Sequence, residues 1–324
     1  LNVYGSDIPS DIFDIHAEGN LTFDDLEGNK TRINTRDSDR IMRRYLNRNE
    51  GALSNKAVSM WRAQAAKLSQ GYIRQMIDNA EIYDEIINSW KVDYSNLVLG
   101  VIAPKWEEAI VTAGDKIAEE ISNTFAKSAQ RIFAYSQVGR RMAEWIQNRS
   151  GELISDLTET QIRALRFILK QYVVDNPTPP RELSAIIRNT IGLTETQAQA
   201  LAKFRNEISG EGLAADIVER QVERYAGFLH KKRADVIART ELSYAWNFGQ
   251  YDAILEGRDR GYINGKVVKE WITAYDERTC PFCGAMDGLI IDLEGTFPTA
   301  SGTTAYAPPA HQQCRCTVGY VVLD

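Results

Sequence analysis

The residues of this chain that could do chemistry gather at one end. Cys280-Pro281-Phe282-Cys283 and Cys314-Arg315-Cys316 hold every cysteine of the 324 residues, and His311, one of three histidines, stands three positions before Cys314. Two close pairs about thirty residues apart are what a small knuckle closed by metal or by disulfides requires. The pair at 280 and 283 brackets a Pro-Phe turn that points two sulfurs at one centre. Cys314 and Cys316, if extended, project to one face, because side chains alternate along a strand. Four thiolates so placed could close tetrahedrally on zinc at about 2.3 Å. The complex would carry a charge of about −2, which Arg278 and Arg315 could offset as donors close to the sulfurs. His311 is a rival ligand, replacing Cys314 or Cys316. Such a site could contribute on the order of 10 kcal/mol to a sheet too small to stand alone.

Three other readings compete with zinc. Disulfides would have to be cross-paired, since a bond inside Cys-Arg-Cys is strained. A redox Cys-x-x-Cys belongs at a strand-to-helix turn of a βαβ unit, which is not what surrounds Cys283. Free structural thiols are the third. Catalysis finds little support: a hydrolytic zinc leaves a position open beside a general base. His16, His230 and His311 cannot assemble a His-rich nuclease motif. There is no phosphate-binding glycine loop and no nucleophile elbow. Glu241 and Asp276 read as capping or ion-pair groups. The expectation is a structural site and no enzyme.

The elements that must position this cluster are mainly helical. Residues 1–36 are acidic and turn-rich and read as an extended arm that docks on a partner or stays mobile. From 37 to 150 the pattern is helical. Ala57, Met60, Trp61, Ala65 and Leu68 form a stripe at spacings of three and four. Trp106, Ile110, Ala113, Ile117, Ile121 and Phe125 form another, after Pro104, which reads as a helix start; Ile132, Tyr135, Met142, Trp145 and Ile146 extend it. The pentad Leu-Thr-Glu-Thr-Gln occurs at 157–161 and again at 193–197, and each copy reads as a helix N-terminus with a capping box. Between them Pro177-Thr178-Pro179-Pro180 stops one helix and starts the next at Arg181. Gly210 and Gly212 precede a helix from Leu213 to about Gly227, and another runs from His230 to about Glu256. Beyond Gly261 the composition changes: Val267 to Thr273, Leu289 to Leu293 and Thr317 to Leu323 read as strands.

The fold class expected is therefore mainly α, with a long helical N-terminal part and a small α+β C-terminal module, a short antiparallel sheet around the cysteines. The divisions are 1–36, 37–150, 151–260 and 261–324. Length suggests more than one domain. A net charge of −6 supplies no global field toward nucleic acid. The longest apolar run, Leu97 to Ala103, falls far short of the roughly 20 residues of a membrane span. No signal-like segment is evident, and a reducing compartment favours thiols or metal over disulfides. Arg224, Lys231, Lys232, Arg233 and Arg239 form a local basic cluster, a phosphate contact or a solvated face.

Several of these motifs occur in one order: Ile191-Gly192-Leu193-Thr194 with Gln197-Ala198, Ala238-Arg239-Thr240-Glu241, Trp271, Asp276-Glu277-Arg278-Thr279-Cys280-Pro281-Phe282-Cys283, Asp287-Gly288, Pro308-Pro309-Ala310-His311 and Cys314-Arg315-Cys316. That order resembles the phage Mu F-like head morphogenesis (minor capsid) proteins over roughly residues 150–324. The resemblance implies a minor head protein of a tailed phage, present in the virion at the portal vertex or head interior and in the host cytoplasm during assembly. It implies action in head assembly or in genome packaging and delivery. The partners implied are portal protein, major capsid or scaffolding protein, and packaged DNA through Arg224, Lys231, Lys232 and Arg233, with no small-molecule substrate. The alternative from another class is a zinc-dependent nucleic-acid-processing enzyme.

Overall fold

The computed structural model describes residues 21–34, 36–125, 132–136, 139–175, 179–274, 276–277, 279–298 and 304–323, by backbone alone at 36–39, 180 and 181. The first twenty residues of the expected arm and Arg278 lie outside the described residues. In chain order the elements are β1 Lys30–Ile33, α1 Arg36–Lys67, α2 Gln70–Asn79, α3 Asp84–Leu97, α4 Ala103–Phe125, α5 Arg140–Leu169, α6 Pro180–Thr190, α7 Glu195–Gly210, α8 Ala215–Asp259, β2 Lys266–Ile272, α9 Pro281–Ala285, β3 Ile290–Asp292, β4 Phe297–Pro298, β5 Thr304–Ala305 and β6 Thr317–Leu323. The protein is mainly α, with a small antiparallel sheet in the C-terminal region beside the cysteines.

The chain forms two compact units, each built from separated stretches. One comprises Leu1–Asn49, Lys105–Glu144 and Arg239–Asp324, the other Glu50–Pro104 and Trp145–Ala238. These differ from the contiguous divisions read from sequence, because long helices do not stop where composition shifts. Helix α5 runs straight through position 150.

In the first unit, β6 is central, with β1 on one side and β2 on the other, and β3 flanks β2; all pairs are antiparallel. β6 reads Thr-Val-Gly-Tyr-Val-Val-Leu and is buried almost throughout, as a β-branched central strand should be. Residues 21–33 of the segment read as an arm run along this sheet. Leu21 bridges Ile290 at the β3 edge, and Lys30–Ile33 pairs with β6 at the opposite edge. Between them Leu26 and Phe23 lie in an apolar cluster with Val268, Ile290 and Val321. Acidic composition concealed this strap, whose Phe23 and Leu26 pack on the sheet although Leu21 stays exposed. Asn34, at φ 60°, then turns the chain toward α1, its amide donating to the Val318 carbonyl.

Helices α4 and α8 pack on this unit through small residues. A Cβ on Gly249 would meet the Ile110 carbonyl oxygen at 2.3 Å, so the two backbones touch there. Tyr135 lies against Gly114 in the same manner and donates to Asp252 at 2.7 Å. Tyr135 reads from sequence as continuing a helix, but residues 132–136 form no regular element and α5 begins only at Arg140.

In the second unit, Pro104 does not start a helix. A π turn, Val98–Ile102, joins α3 to α4 without a break. The wider turn accommodates a proline that has no N–H to return to the preceding turn. The pentad at 194–197 is the helix start that its sequence suggests: Thr194 Oγ1 accepts from Gln197 N–H at 3.2 Å, and Gln197 Oε1 accepts from Thr194 N–H at 3.1 Å. Its twin at 157–161 is not. It lies inside α5, with Thr158 donating back to the Ile154 carbonyl. Nor is there a break near Gly227, since α8 is one helix of 45 residues.

A buried polar chain fixes the Ile191-Gly192-Leu193 turn. Trp61 Nε1–H donates to Tyr94 Oη at 3.1 Å, and Tyr94 donates to Gln161 Oε1 at 2.8 Å. That oxygen also accepts from Gly192 N–H at 2.9 Å. Arg233 and His230 donate to the Gly192 and Ile191 carbonyls, each at 2.7 Å. Gly192 has φ +85°, and a Cβ there would meet the Trp61 ring at 2.4 Å. Arg233, read as a surface cation, is 6% exposed and lies over the Trp61 ring. It holds a turn and is not available to phosphate.

Candidate metal centre

The cysteine cluster is assembled by four elements of the first unit, and each is held by hydrogen bonds that its own sequence supplies. Cys280 caps α9: its Sγ accepts from the Cys283 N–H at 3.3 Å, and Pro281 occupies the first turn, where no N–H is needed. The expected Pro-Phe turn is therefore one turn of helix, which presents both sulfurs on the same side. The return segment is bent at Gln313, φ 60°, whose N–H donates to Thr240 Oγ1 on α8 at 3.1 Å. Cys314, whose N–H donates to the His311 carbonyl at 3.2 Å, and Cys316 follow in the segment that leads into β6. There the Thr317 hydroxyl donates toward Asn247 Oδ1 and Gln250 Oε1 of α8, at 3.1 and 3.0 Å.

All five residues singled out by spacing converge. His311 Nε2 lies 3.0 Å from Cys280 Sγ and 3.1 Å from Cys283 Sγ, and Cys283 Sγ is 3.6 Å from Cys314 Sγ. They form two triads of mutually close donor atoms, Cys280–Cys283–His311 and Cys283–Cys314–Cys316, sharing Cys283. The four thiols are free. Cys283, Cys314 and Cys316 are buried, while Cys280 and His311 are half-buried.

Charge is already organised. The hydrogen bond from Cys283, followed by that from His311, pushes Cys280 down to about 5. The hydrogen bond to Cys280 raises His311 to about 9 against the effect of burial. Cys314 is held well below the usual thiol value by hydrogen bonds from Cys283 and then Cys316. Cys283, surrounded by Cys280, Cys314 and Cys316, is raised. Cys316 is raised as well, so the shifts favour protons on Cys283, Cys316 and His311 and negative charge on Cys280 and Cys314.

Sulfur and imidazole donors at these separations suit a tetrahedral ion of the zinc type. A sulfur–sulfur distance of 3.6 Å matches the roughly 3.8 Å spanned by two thiolates at about 2.3 Å from one zinc. Five donors surround a centre that takes four, and Cys283 is the donor that belongs to both triads. The cluster could therefore hold a metal ion, with the fourth ligand drawn from the remaining set.

Arg315, expected to offset sulfur charge, instead makes a two-pronged ion pair with Asp276, its Nη1 lying 2.9 Å from Asp276 Oδ2; Arg43 reaches the same carboxylate at 3.6 Å. Asp276 thus has the ion-pair role read for it, and Arg315 braces the backbone between the two cysteines. Asp287 ties the other flank, accepting from the Thr273 N–H and hydroxyl, both at 2.9 Å. Gly288, at φ +80°, lets the chain turn back so that its N–H donates to the Trp271 carbonyl.

Sequence reasoning missed Lys269. Its side chain is fully buried, donates to the Tyr306 carbonyl at 2.8 Å and lies 3.5 Å from the centroid of that ring, with Tyr251 and Phe297 beyond. Burial pushes its ammonium down to about 8. The only signal was a lysine beside Glu270 in a strand otherwise of Val, Trp and Ile after Lys266, which reads equally well as a solvent-facing alternation.

Residues 203–319 match the family model of phage Mu protein F like protein. The matched stretch runs from within α7 through the last of the cysteines into β6, so it contains both triads and the part of α8 that fastens them. It begins later than the resemblance read from sequence, which started near 150. No curated protein and no solved structure gave a significant match. Among the described residues no helix is long and apolar enough to cross a membrane.

Proposed function

We propose that this protein is a structural component of a tailed-phage head, acting in head morphogenesis at the portal vertex or the inner capsid face. The observation that carries the reading is the family match over residues 203–319, coextensive with the cysteine cluster and its fastenings. The groups around the cluster support a structural role. Thr240, Asn247, Gln250, Asp276, Asp287 and Arg315 each bind backbone, the Thr317 hydroxyl or one another, which is what holding a shape requires. The partners proposed are portal protein and major capsid or scaffolding protein, with zinc as a structural ion.

Packaged DNA is a weaker partner than the sequence suggested. Of the four residues named for it, Arg233 is buried, and Lys231 already bonds Ser54 Oγ at 2.9 Å and pairs with Asp235. Arg224 and Lys232 remain exposed. The test is co-expression with a tailed-phage portal protein, followed by pull-down and by assay of purified protein on plasmid DNA. Portal co-purification without cleavage is the expected result. Plasmid cleavage that a chelator abolishes and zinc restores, with no portal binding, would replace this reading by a zinc-dependent nucleic-acid-processing enzyme.

A further inference from the structure

The five donors of the cysteine cluster do not close on one point. Their ligand atoms form two sets of three, each within a span of 4.8 Å: Cys280 with Cys283 and His311, and Cys283 with Cys314 and Cys316. One tetrahedral ion needs four donor atoms that are all about 3.8 Å apart. Neither set takes a fourth donor even within the looser span, among the described residues. A second observation lies beside the buried set. The Trp271 indole N–H is fully buried without a hydrogen-bond partner, and the sulfur it is directed at is that of Cys316. A buried donor left waiting next to a thiol is satisfied once that thiol becomes a metal thiolate.

Charge points the same way. Four thiolates around a single divalent ion leave about −2, and Arg315, the expected offset, is committed to Asp276. Two divalent ions with four thiolates and a neutral imidazole carry no net charge. That suits a site in which Cys283, Cys314 and Cys316 are all buried. We propose that the cluster is a two-ion centre, with one divalent, thiophilic ion of the zinc type in each triad and the Cys283 sulfur bridging them. The proposal rests on zinc as the structural ion and changes its number and its ligands. A water molecule completes each shell. No carboxylate belongs to either set among the described residues, so the sets lack the general base that hydrolysis places beside its ion.

The test takes the untagged full chain, strips it with a chelator under reducing conditions, loads it with zinc ions alone and weighs it by native mass spectrometry. Two ions per chain are expected. Cadmium in place of zinc should give two cadmium NMR signals, coupled through the shared sulfur. His311→Asn and Cys316→Ser each spare one triad, and each should reduce the count to one ion. Trp271→Phe keeps an aromatic ring and removes the N–H. It should bind the ion of the buried triad about 10-fold more weakly and leave the other ion unchanged. The wild-type count decides the matter even where a variant fails to fold. One ion at saturation would overturn the two-ion centre and leave a single structural zinc standing, whereas no bound ion would overturn both. A count of two that neither His311→Asn nor Cys316→Ser lowers would place the second ion elsewhere, and that too overturns the proposal.

Discussion

Gln313 donates its backbone N–H to the hydroxyl of Thr240, 73 residues earlier on α8, at 3.1 Å. Gln313 stands next to Cys314 in the left-handed region, a conformation that costs a non-glycine residue about 1 kcal/mol or more. The bond from α8 is what holds the loop there. Thr240→Val keeps the shape and removes the acceptor, and should destabilise the protein by about 1–2 kcal/mol. It should also weaken metal retention, because Cys314 is released from its register. Chelator competition at constant protein concentration measures this, and an unchanged affinity would show that the loop needs no anchor on the helix.

Cys283 should be the least replaceable donor. Without it the remaining donors fall into two separate pairs, Cys280 with His311 and Cys314 with Cys316. Cys283→Ser is expected to lower bound metal and the melting temperature of the cysteine module together, while the helical signal from residues 38–150 stays mostly intact. Cys280→Ser or His311→Asn each leaves one complete triad and one further donor. Each should still bind metal, with affinity reduced about 10- to 100-fold. Equal loss in all three variants, measured by metal analysis after gel filtration, would contradict the shared-donor geometry.

How far the sequence reveals this structure depends on whether a signal is local. The strands after Gly261 and the capping box at Thr194 were legible because each is set by residues within a few positions, and the cysteine convergence because residue type marks two close pairs about thirty residues apart. The twin pentad at 157–161 was not, although its five residues are identical. Thr194 follows Gly192, whose φ of +85° breaks the chain before the cap, whereas Thr158 follows a continuing helix that offers no such break. A capping box reports only that a helix can begin. Pro104 misled for the converse reason, since the π turn that absorbs it has no residue signature. Arg233 looked like part of a basic run, and only the tertiary chain of Trp61, Tyr94, Gln161 and Gly192 shows why a cation is buried there.

Gly192 is where that chain is most vulnerable. Gly192→Ala adds a methyl group 2.4 Å from the Trp61 ring, at a φ that L residues avoid. A loss of about 3 kcal/mol is expected, combining backbone strain and overpacking. A Gly192→Ala, Trp61→Leu double variant removes the ring and should recover the packing part while leaving the strain. Thermal melts of the three proteins check this, and strictly additive losses would place the cost elsewhere.

His230 should make the protein sensitive to acid. Burial, assisted by the nearby Arg233 and Arg62, lowers its folded-state value to about 4, although the bond to Ile191 works the other way. Its Nε2–H donates to the Ile191 carbonyl and its ring lies 6.0 Å from that of Trp61. Unfolded histidine titrates near 6.5, so between these values the unfolded chain binds more protons and stability falls as pH falls. The loss from pH 7.5 to pH 4 should approach 3 kcal/mol, roughly 1.4 for each unit of the shift. His230→Gln keeps an amide donor for Ile191 without a titrating group. Urea denaturation at pH 7.5 and pH 4.5 should then show a smaller acid loss in the variant than in the wild type. Equal losses in both would mean that the imidazole carries no such linkage and that the acid sensitivity arises at other groups.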